Sequence, residues 1–279
     1  MTSGDFQKTI DALGGDDMPR VWSLIVTVFG DLAQRSGDEI AGPVLGEILA
    51  PVGVRPEAMR VALHRLRNEG WIETRKQGRT ALHGLSTFGL AQSAAASKQI
   101  YGTTQQADLD WHILCFAPST STQEQTRSKT LALRGYVNAT SGIYIKNGAA
   151  NHIADDAIIL QGEMKNVPSW LSDLLAPMPL RAGFQKLAQA LETINIDESF
   201  ARALTPLQTA TLRTLIVHHW RKLVLKLPLA PDVLFGDDFE GTQCRDQVLR
   251  ALKLLERPKR FQTSPERRSS SSKDASPAR

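Results

Sequence analysis

Residues 60–79 read RVALHRLRNEGWIETRKQGR. At about 100° per residue, Met59, Ala62, Leu63 and Leu66 fall on one face of a helix. Glu57, Arg60, His64 and Arg67 fall on another, with Val61 and Arg65 on the flank. Pro56 suits the first position of that helix, because the N–H it lacks would have no partner there. Gly70, just after Asn68 and Glu69, can take the left-handed conformation of a helix C-cap. Trp71–Arg75 then predicts a strand, Lys76–Arg79 a turn, and Thr80–Leu85 a return strand. Ser86 and Thr87 can cap a further helix that runs to about Tyr101.

Working toward the N-terminus, Gly42-Pro43 opens a short helix that reaches Leu49 and meets Pro51. Val52-Gly53-Val54 is a tight turn. Before it, Val21, Leu24, Ile25, Val28 and Leu32 share one stripe of a helix that Pro19 precedes. A short extended piece, Glu39-Ile40-Ala41, lies between these two helices. Three helices, a short turn between the second and third, and a hairpin make up the winged helix-turn-helix order. A helix of this kind fits the major groove of B-DNA, and a basic hairpin tip can lie along a neighbouring backbone.

Charge follows the same division. The 279 residues carry a formal charge of +4. The last twenty-three, from Arg257, hold seven basic and two acidic residues, so the rest of the chain is nearly neutral. Yet Arg55–Arg79 alone holds seven basic residues against Glu57, Glu69 and Glu73. Such local positive charge is the electrostatic footprint of a nucleic-acid-binding edge. Arg60 and His64 are assigned to base edges, with Arg55 where the helix begins. Arg67, Arg75, Lys76 and Arg79 are assigned to phosphates.

Residues 20–101 resemble the N-terminal region of the PaaX-like regulators of phenylacetate degradation. The resemblance rests on Arg20-Val21-Trp22-Ser23-Leu24-Ile25 with Gly30-Asp31, on Met59–Leu66 followed by Gly70-Trp71, on Arg75 with Gly78-Arg79, on Leu85–Gly89, and on Ile100-Tyr101. A distant stretch, Leu212–Lys222, resembles the C-terminal helix of that family. Leu229–Leu234 and Asp238–Gly241 resemble the loop after it. Leu227, Phe239 and His83 depart from the residues usual in the family. The resemblance implies a DNA-binding repressor released by an aryl-CoA thioester, typically phenylacetyl-CoA. It also implies a middle domain similar to the small CRISPR-associated endoribonucleases.

In that middle region Trp111–Pro118 predicts a strand, Ser121–Gly135 a helix, and Tyr136–Thr140 and Gly142–Ile145 two strands. Ala157–Leu160 lies in a fourth. This β-α-β-β order predicts a ferredoxin-like α+β layer. The first strand ends Phe116-Ala117-Pro118 with no carboxylate, and Asp155-Asp156 reads as a strand-initiating turn, so a metal-dependent nuclease is disfavoured. Helices are expected over 180–198, 205–227 and 242–256. His218 and His219 stand about 100° apart on the second of these and cannot pair on one metal as an i, i+4 pair does. A structural or inter-domain role is the default reading of this pair; Arg213, His218 and Arg221 are the residues assigned to an acidic effector.

The expected fold class is therefore α+β: a flexible N-terminus (1–18), a winged helix-turn-helix domain with its linker helix (19–101), a ferredoxin-like domain (108–166), a helical C-terminal domain (167–256) and a disordered basic tail (257–279). The expected function is a sequence-specific transcriptional regulator, not an enzyme, with no metal or cofactor. Its partners are double-stranded operator DNA, an aryl-CoA effector and a second copy in a homodimer. Cys115 and Cys244 lack CxxC spacing and are expected as buried thiols of a cytoplasmic protein; no membrane segment is present. The competing classes are a nuclease or CoA-thioester hydrolase and a protein-interaction adaptor with a degenerate winged helix. Turnover of RNA or acyl-CoA separates the first, and lack of a sequence-specific footprint separates the second.

Overall fold

Helix α10 (Pro206–Val224) is buried on nearly every side along its middle: Leu212, Leu215, Ile216, Trp220 and Val224 are fully enclosed, and so are the polar Thr211, Arg213, Thr214 and His218. Polar groups enclosed in this way need hydrogen-bond or charge partners inside the protein. The computed structural model, which describes residues 1–14, 19–102, 110–148, 156–228, 235–236 and 238–258, places this helix at the centre of the main core. Thr205 and Gln208 form a capping box at its start. Pro206 at the first position leaves no orphan N–H.

Around it lie α2 (Val21–Leu32), α3 (Gly42–Leu49), α5 (Thr87–Tyr101), α8 (Met178–Ile194) and α11 (Glu240–Leu254). The N-terminal and C-terminal regions thus share one hydrophobic core. Truncating a residue such as Trp220 to alanine would remove about 3–5 kcal/mol. Phe184 and Phe239 stack edge-on at 5.6 Å, Phe235 lies 4.6 Å from Phe239, and Phe184 lies 5.7 Å from Trp220.

The first eighteen residues, expected to be a flexible N-terminus, contain instead helix α1 (Ser3–Gly14). Phe6, Ile10 and Leu13 recur at helical spacing and are buried against α8 and α10. The Asp5 N–H is capped by the Thr2 hydroxyl at 3.2 Å. Polar and glycine-rich composition concealed a three-residue apolar stripe, which this packing alone makes worth ordering.

A small antiparallel sheet combines β1 (Ile40–Ala41), β2 (Ile72–Gln77) and β3 (Thr80–Leu85) in the order β1-β3-β2. Helix α4 (Pro56–Asn68) leads into it. A 3-10 turn over Ala50–Val52 separates α3 from α4, so Pro51 tightens the chain rather than ending the helix outright. A second antiparallel sheet has β4 (Asp110–Phe116), β5 (Val137–Thr140), β6 (Ile143–Asn147) and β7 (Ala157–Glu163) in the order β5-β6-β4-β7. Helix α6 (Ser121–Ala132) follows β4, opened by a Thr120–Gln123 capping box. The class is α+β, as expected.

The C-terminal helices are more divided than predicted. The helix expected to reach residue 198 stops at Ile194, where Asn195 takes the left-handed conformation (φ 49°). Asp197 then caps α9 (Glu198–Ala203). Helix α7 (Ser169–Leu175) was not foreseen. Cys244 is buried as expected, but Cys115 is only half-buried. Among the described residues no helix is long and apolar enough to cross a membrane. The tail from residue 259, the acidic Asp155 and the loop 229–234 lie outside the described residues.

Candidate nucleic-acid interface

Helix α4 divides by face as its sequence requires. Ala62, Leu63 and Leu66 are buried, whereas Arg60, Val61, His64, Arg65, Arg67 and Asn68 face solvent. It begins at Pro56 without a side-chain cap, so the N–H groups of its first turn face outward beside Arg55. That end carries the positive pole of the helix dipole. At the other end the Gly70 N–H donates to the Arg67 carbonyl at 3.0 Å and the Trp71 N–H to Leu66 at 2.9 Å. Gly70 has φ 74°, completing a Schellman cap. The cap turns the chain sharply into β2, and so sets the hairpin beside the exposed face of α4.

The hairpin presents Glu73–Arg79 to solvent along β2 and its turn, while β3 is largely buried. Seven residues expected at the interface, Arg55, Arg60, His64, Arg67, Arg75, Lys76 and Arg79, are all exposed. They differ in what already holds them. Arg60 pairs with Glu57 at 3.0 Å, but both side chains are 72% exposed, so water competes freely for the contact. His64 and Asn68 share a hydrogen bond at 3.3 Å. Arg65 is bound to Glu69 at 2.7 Å and lies over the Trp22 ring. Lys76 and Arg79 have no ion partner among the described residues.

Arg75 is different. Its Nη2 and Nε donate to the two oxygens of Glu39 at 2.6 and 3.2 Å, and the Glu39 side chain is only 16% exposed. The carboxylate raises the Arg75 guanidinium above its ordinary range. Arg75 therefore braces β2 against the segment before β1, which sequence reasoning missed. Behind it the His83 ring accepts or donates to Thr74 at 2.9 Å, and burial, with Arg67 nearby, lowers its pKa.

The three residues assigned to an effector do not form an open site. Arg213 is buried, and its guanidinium donates to Asp31 at 2.8 and 2.7 Å, to the Leu252 carbonyl at 2.8 Å, and to the Leu255 carbonyl. All its hydrogen-bonding capacity toward those partners ties α10 to α2 and α11, so it is a structural clamp rather than a ligand contact. His218 is buried against Thr27, 3.3 Å from its hydroxyl. Burial and nearby positive charge push its pKa down to about 3. A neutral enclosed imidazole is not an anion receptor. Arg221 alone borders a cavity, of about 330 Å³ between α2, α5 and α10, and donates to Ser23 at 3.0 Å.

Asp31 is the residue that sequence reasoning passed over. Burial alone would raise its carboxyl, but the hydrogen bonds and charges of Arg213, Arg257 and Tyr101 outweigh that and hold it below the usual range. Tyr101 donates to it at 2.9 Å and Arg257 lies 3.2 Å away. Arg257, expected as the first residue of a disordered tail, is thus anchored. The signal was available: Asp31 is the one charged residue in α2. A carboxylate in an apolar helix calls for a buried cation.

An α+β chain with an exposed basic helix-and-hairpin face narrows the class. The PaaX-like protein family model matches residues 20–89, and the PaaX-like protein C-terminal domain matches residues 178–261. The chain belongs to the PaaX-like family. It is 26% identical over 243 residues to the transcriptional repressor PaaX of Escherichia coli (strain K12), covering 80% of this chain and 76% of that relative. Its fold is similar to that of an uncharacterised Mycobacterium tuberculosis protein, with a TM-score of 0.50, 16% identity and coverage of 84% of this chain and 94% of that one.

Proposed function

We propose that this protein is a sequence-specific transcriptional repressor of phenylacetate-type aromatic-acid catabolism, released from its operator by an aryl-CoA thioester such as phenylacetyl-CoA. The observation that carries the reading is the row of exposed basic residues on α4 and the β2–β3 turn. It lies within the segment that matches the family. Residues 19–101 act as a winged helix-turn-helix: Arg60 and His64 read base edges, and Arg55, Arg67, Lys76 and Arg79 hold phosphates. The relative named as a transcriptional repressor supports the regulatory role. It also favours a regulator over an enzyme.

The second sheet, with its β-α-β-β order, serves as a ferredoxin-like middle unit for dimerisation. Its edge strand β7 exposes Ile158 and Leu160 at 67% and 54%. An unpaired apolar edge is a natural seat for a second copy. The dimer would set two α4 helices on half-sites about one DNA turn, or a multiple, apart.

The test is nuclease-protection footprinting of the full chain on DNA flanking its own gene and any adjoining aromatic-acid operon. A protected, two-fold related site that is lost on adding phenylacetyl-CoA is expected. Equal affinity for that DNA and for scrambled duplex at moderate salt would overturn the reading.

A further inference from the structure

A cleft of about 820 Å³ lies between the second sheet and the C-terminal helices. Its size is that of a small-molecule site. Arg134 follows α6, Lys146 lies on β6, and Lys226 follows α10, and all three border the cleft. Among the described residues that line it there is no carboxylate, and none of these cations has an ion partner. Lys146 also lies 5.5 Å from the Tyr136 ring centroid.

Tyr136 supplies an independent sign. It is 95% buried on the wall of the cleft, and its hydroxyl has no hydrogen-bond partner among the described residues. An enclosed hydroxyl left unpaired costs about 1–3 kcal/mol, which a ligand acceptor would recover. Burial raises its pKa, so it stays a donor. The opposite character is present too: Leu133 is 91% exposed beside the cations, Leu174 is 39% exposed, and Leu223 completes an apolar flank.

We propose that this cleft binds the effector, taking a phosphate-bearing anion against Arg134, Lys146 and Lys226, with its apolar acyl group on Leu133, Leu174 and Leu223 and an acceptor atom on the Tyr136 hydroxyl. The proposal rests on the aryl-CoA reading above and gives that ligand a place. It also gives occupancy a route to the DNA face. The side chain of Gln99, near the end of α5, donates to the Val224 and Leu227 carbonyls at 2.7 and 3.0 Å, where α10 ends at the cleft. Helix α5 begins where the hairpin ends. A ligand that shifts the end of α10 therefore pulls on the helix that follows the hairpin, and DNA and ligand weaken each other by one common factor.

The experiment is titration calorimetry on the full chain with phenylacetyl-CoA, free CoA and phenylacetate. The wild-type protein should bind phenylacetyl-CoA more tightly than either fragment. The Arg134→Ala/Lys226→Ala variant, altered only at exposed positions, should bind it at least about tenfold more weakly at unchanged melting temperature. Tyr136→Phe should weaken it severalfold. Gln99→Leu should keep ligand affinity but lose ligand-driven DNA release. Wild-type affinity in the double variant would overturn the cleft while leaving the aryl-CoA reading intact. No binding of any of the three probes to the wild-type protein would overturn both, and the footprint would still stand or fall separately.

Discussion

The guanidinium of Arg213 meets both oxygens of Asp31, at 2.8 and 2.7 Å, across 182 residues of chain and with both side chains sealed from water. This joint binds α2, the helix behind α4, to the centre of the C-terminal region. Removing one partner leaves a buried charge uncompensated, which typically costs about 3–5 kcal/mol. Arg213→Met should therefore lower stability by about that much in urea unfolding. Asp31→Asn combined with Arg213→Met should recover most of the loss. A single variant within about 1 kcal/mol of wild type would show that the pair acts like an exposed one.

The brace between Arg75 and Glu39 makes the hairpin cations unequal. Lys76→Ala and Arg79→Ala should each weaken binding to all duplexes and reduce the salt slope by about one. Arg75→Ala should reduce it by less, because Glu39 already neutralises that side chain. Glu39→Gln should strengthen nonspecific binding by freeing Arg75. Arg60→Ala should instead narrow the gap between operator and random DNA, by about 1–3 kcal/mol. Fluorescence anisotropy of labelled duplexes across a sodium chloride series measures all five. Equal slopes for Arg75→Ala and Lys76→Ala would refute the brace.

Burial lowers the pKa of His218 to about 3 and of His219 to about 4 from 6.5, and Lys222 near both adds to the effect. Protons bind the unfolded chain first, so this stability is fully present above about pH 6.5 and is lost as pH falls through the folded values. Each histidine contributes a slope of at most about 1.4 kcal/mol per pH unit. The depressed Asp31 carboxyl adds its loss only below its ordinary value of 3.8. Between pH 6.5 and 4, His218→Gln/His219→Gln should thus flatten the decline in melting temperature. An unchanged decline would mean that these rings are not the groups responsible.

The parts of the fold legible in the sequence were those whose own chemistry demands a conformation. Pro56 and Gly70 bracket α4, and the apolar face of Ala62, Leu63 and Leu66 sets its orientation. Each exposed basic residue of α4 and the hairpin could be placed by helical angle or strand position alone. What could not be read was the partner of each charge. Arg75 and Glu39, like Arg213 and Asp31, are far apart in the chain and meet only through tertiary packing. For the same reason the enclosure of Arg213 and His218 in the buried middle of α10 could not be read from the sequence. The departures at Phe239 and His83 have local explanations: Phe239 completes an aromatic cluster with Phe184 and Phe235, and His83 bonds Thr74.

The junction between the hairpin and α5 leaves no room at Gly89. A Cβ there would overlap the Trp71 carbonyl oxygen and lie 3.2 Å from Leu85. The Gly89 N–H also donates to the Ser86 hydroxyl at 3.0 Å, capping α5, and Ser86 in turn donates to the Trp71 carbonyl at 3.2 Å. Gly89→Ala must therefore push α5 away from the first residue of the hairpin. It should cost about 1–3 kcal/mol, as overpacking does, and should weaken DNA binding beyond that loss by misplacing β2. Gly4→Ala serves as the control, since nothing lies within 4 Å of its Cβ and it sits in α1. It should leave both stability and DNA affinity at or slightly above wild type. Equal behaviour of the two variants in urea unfolding and gel-shift titration would show that the Trp71–Gly89 contact does not set the hairpin.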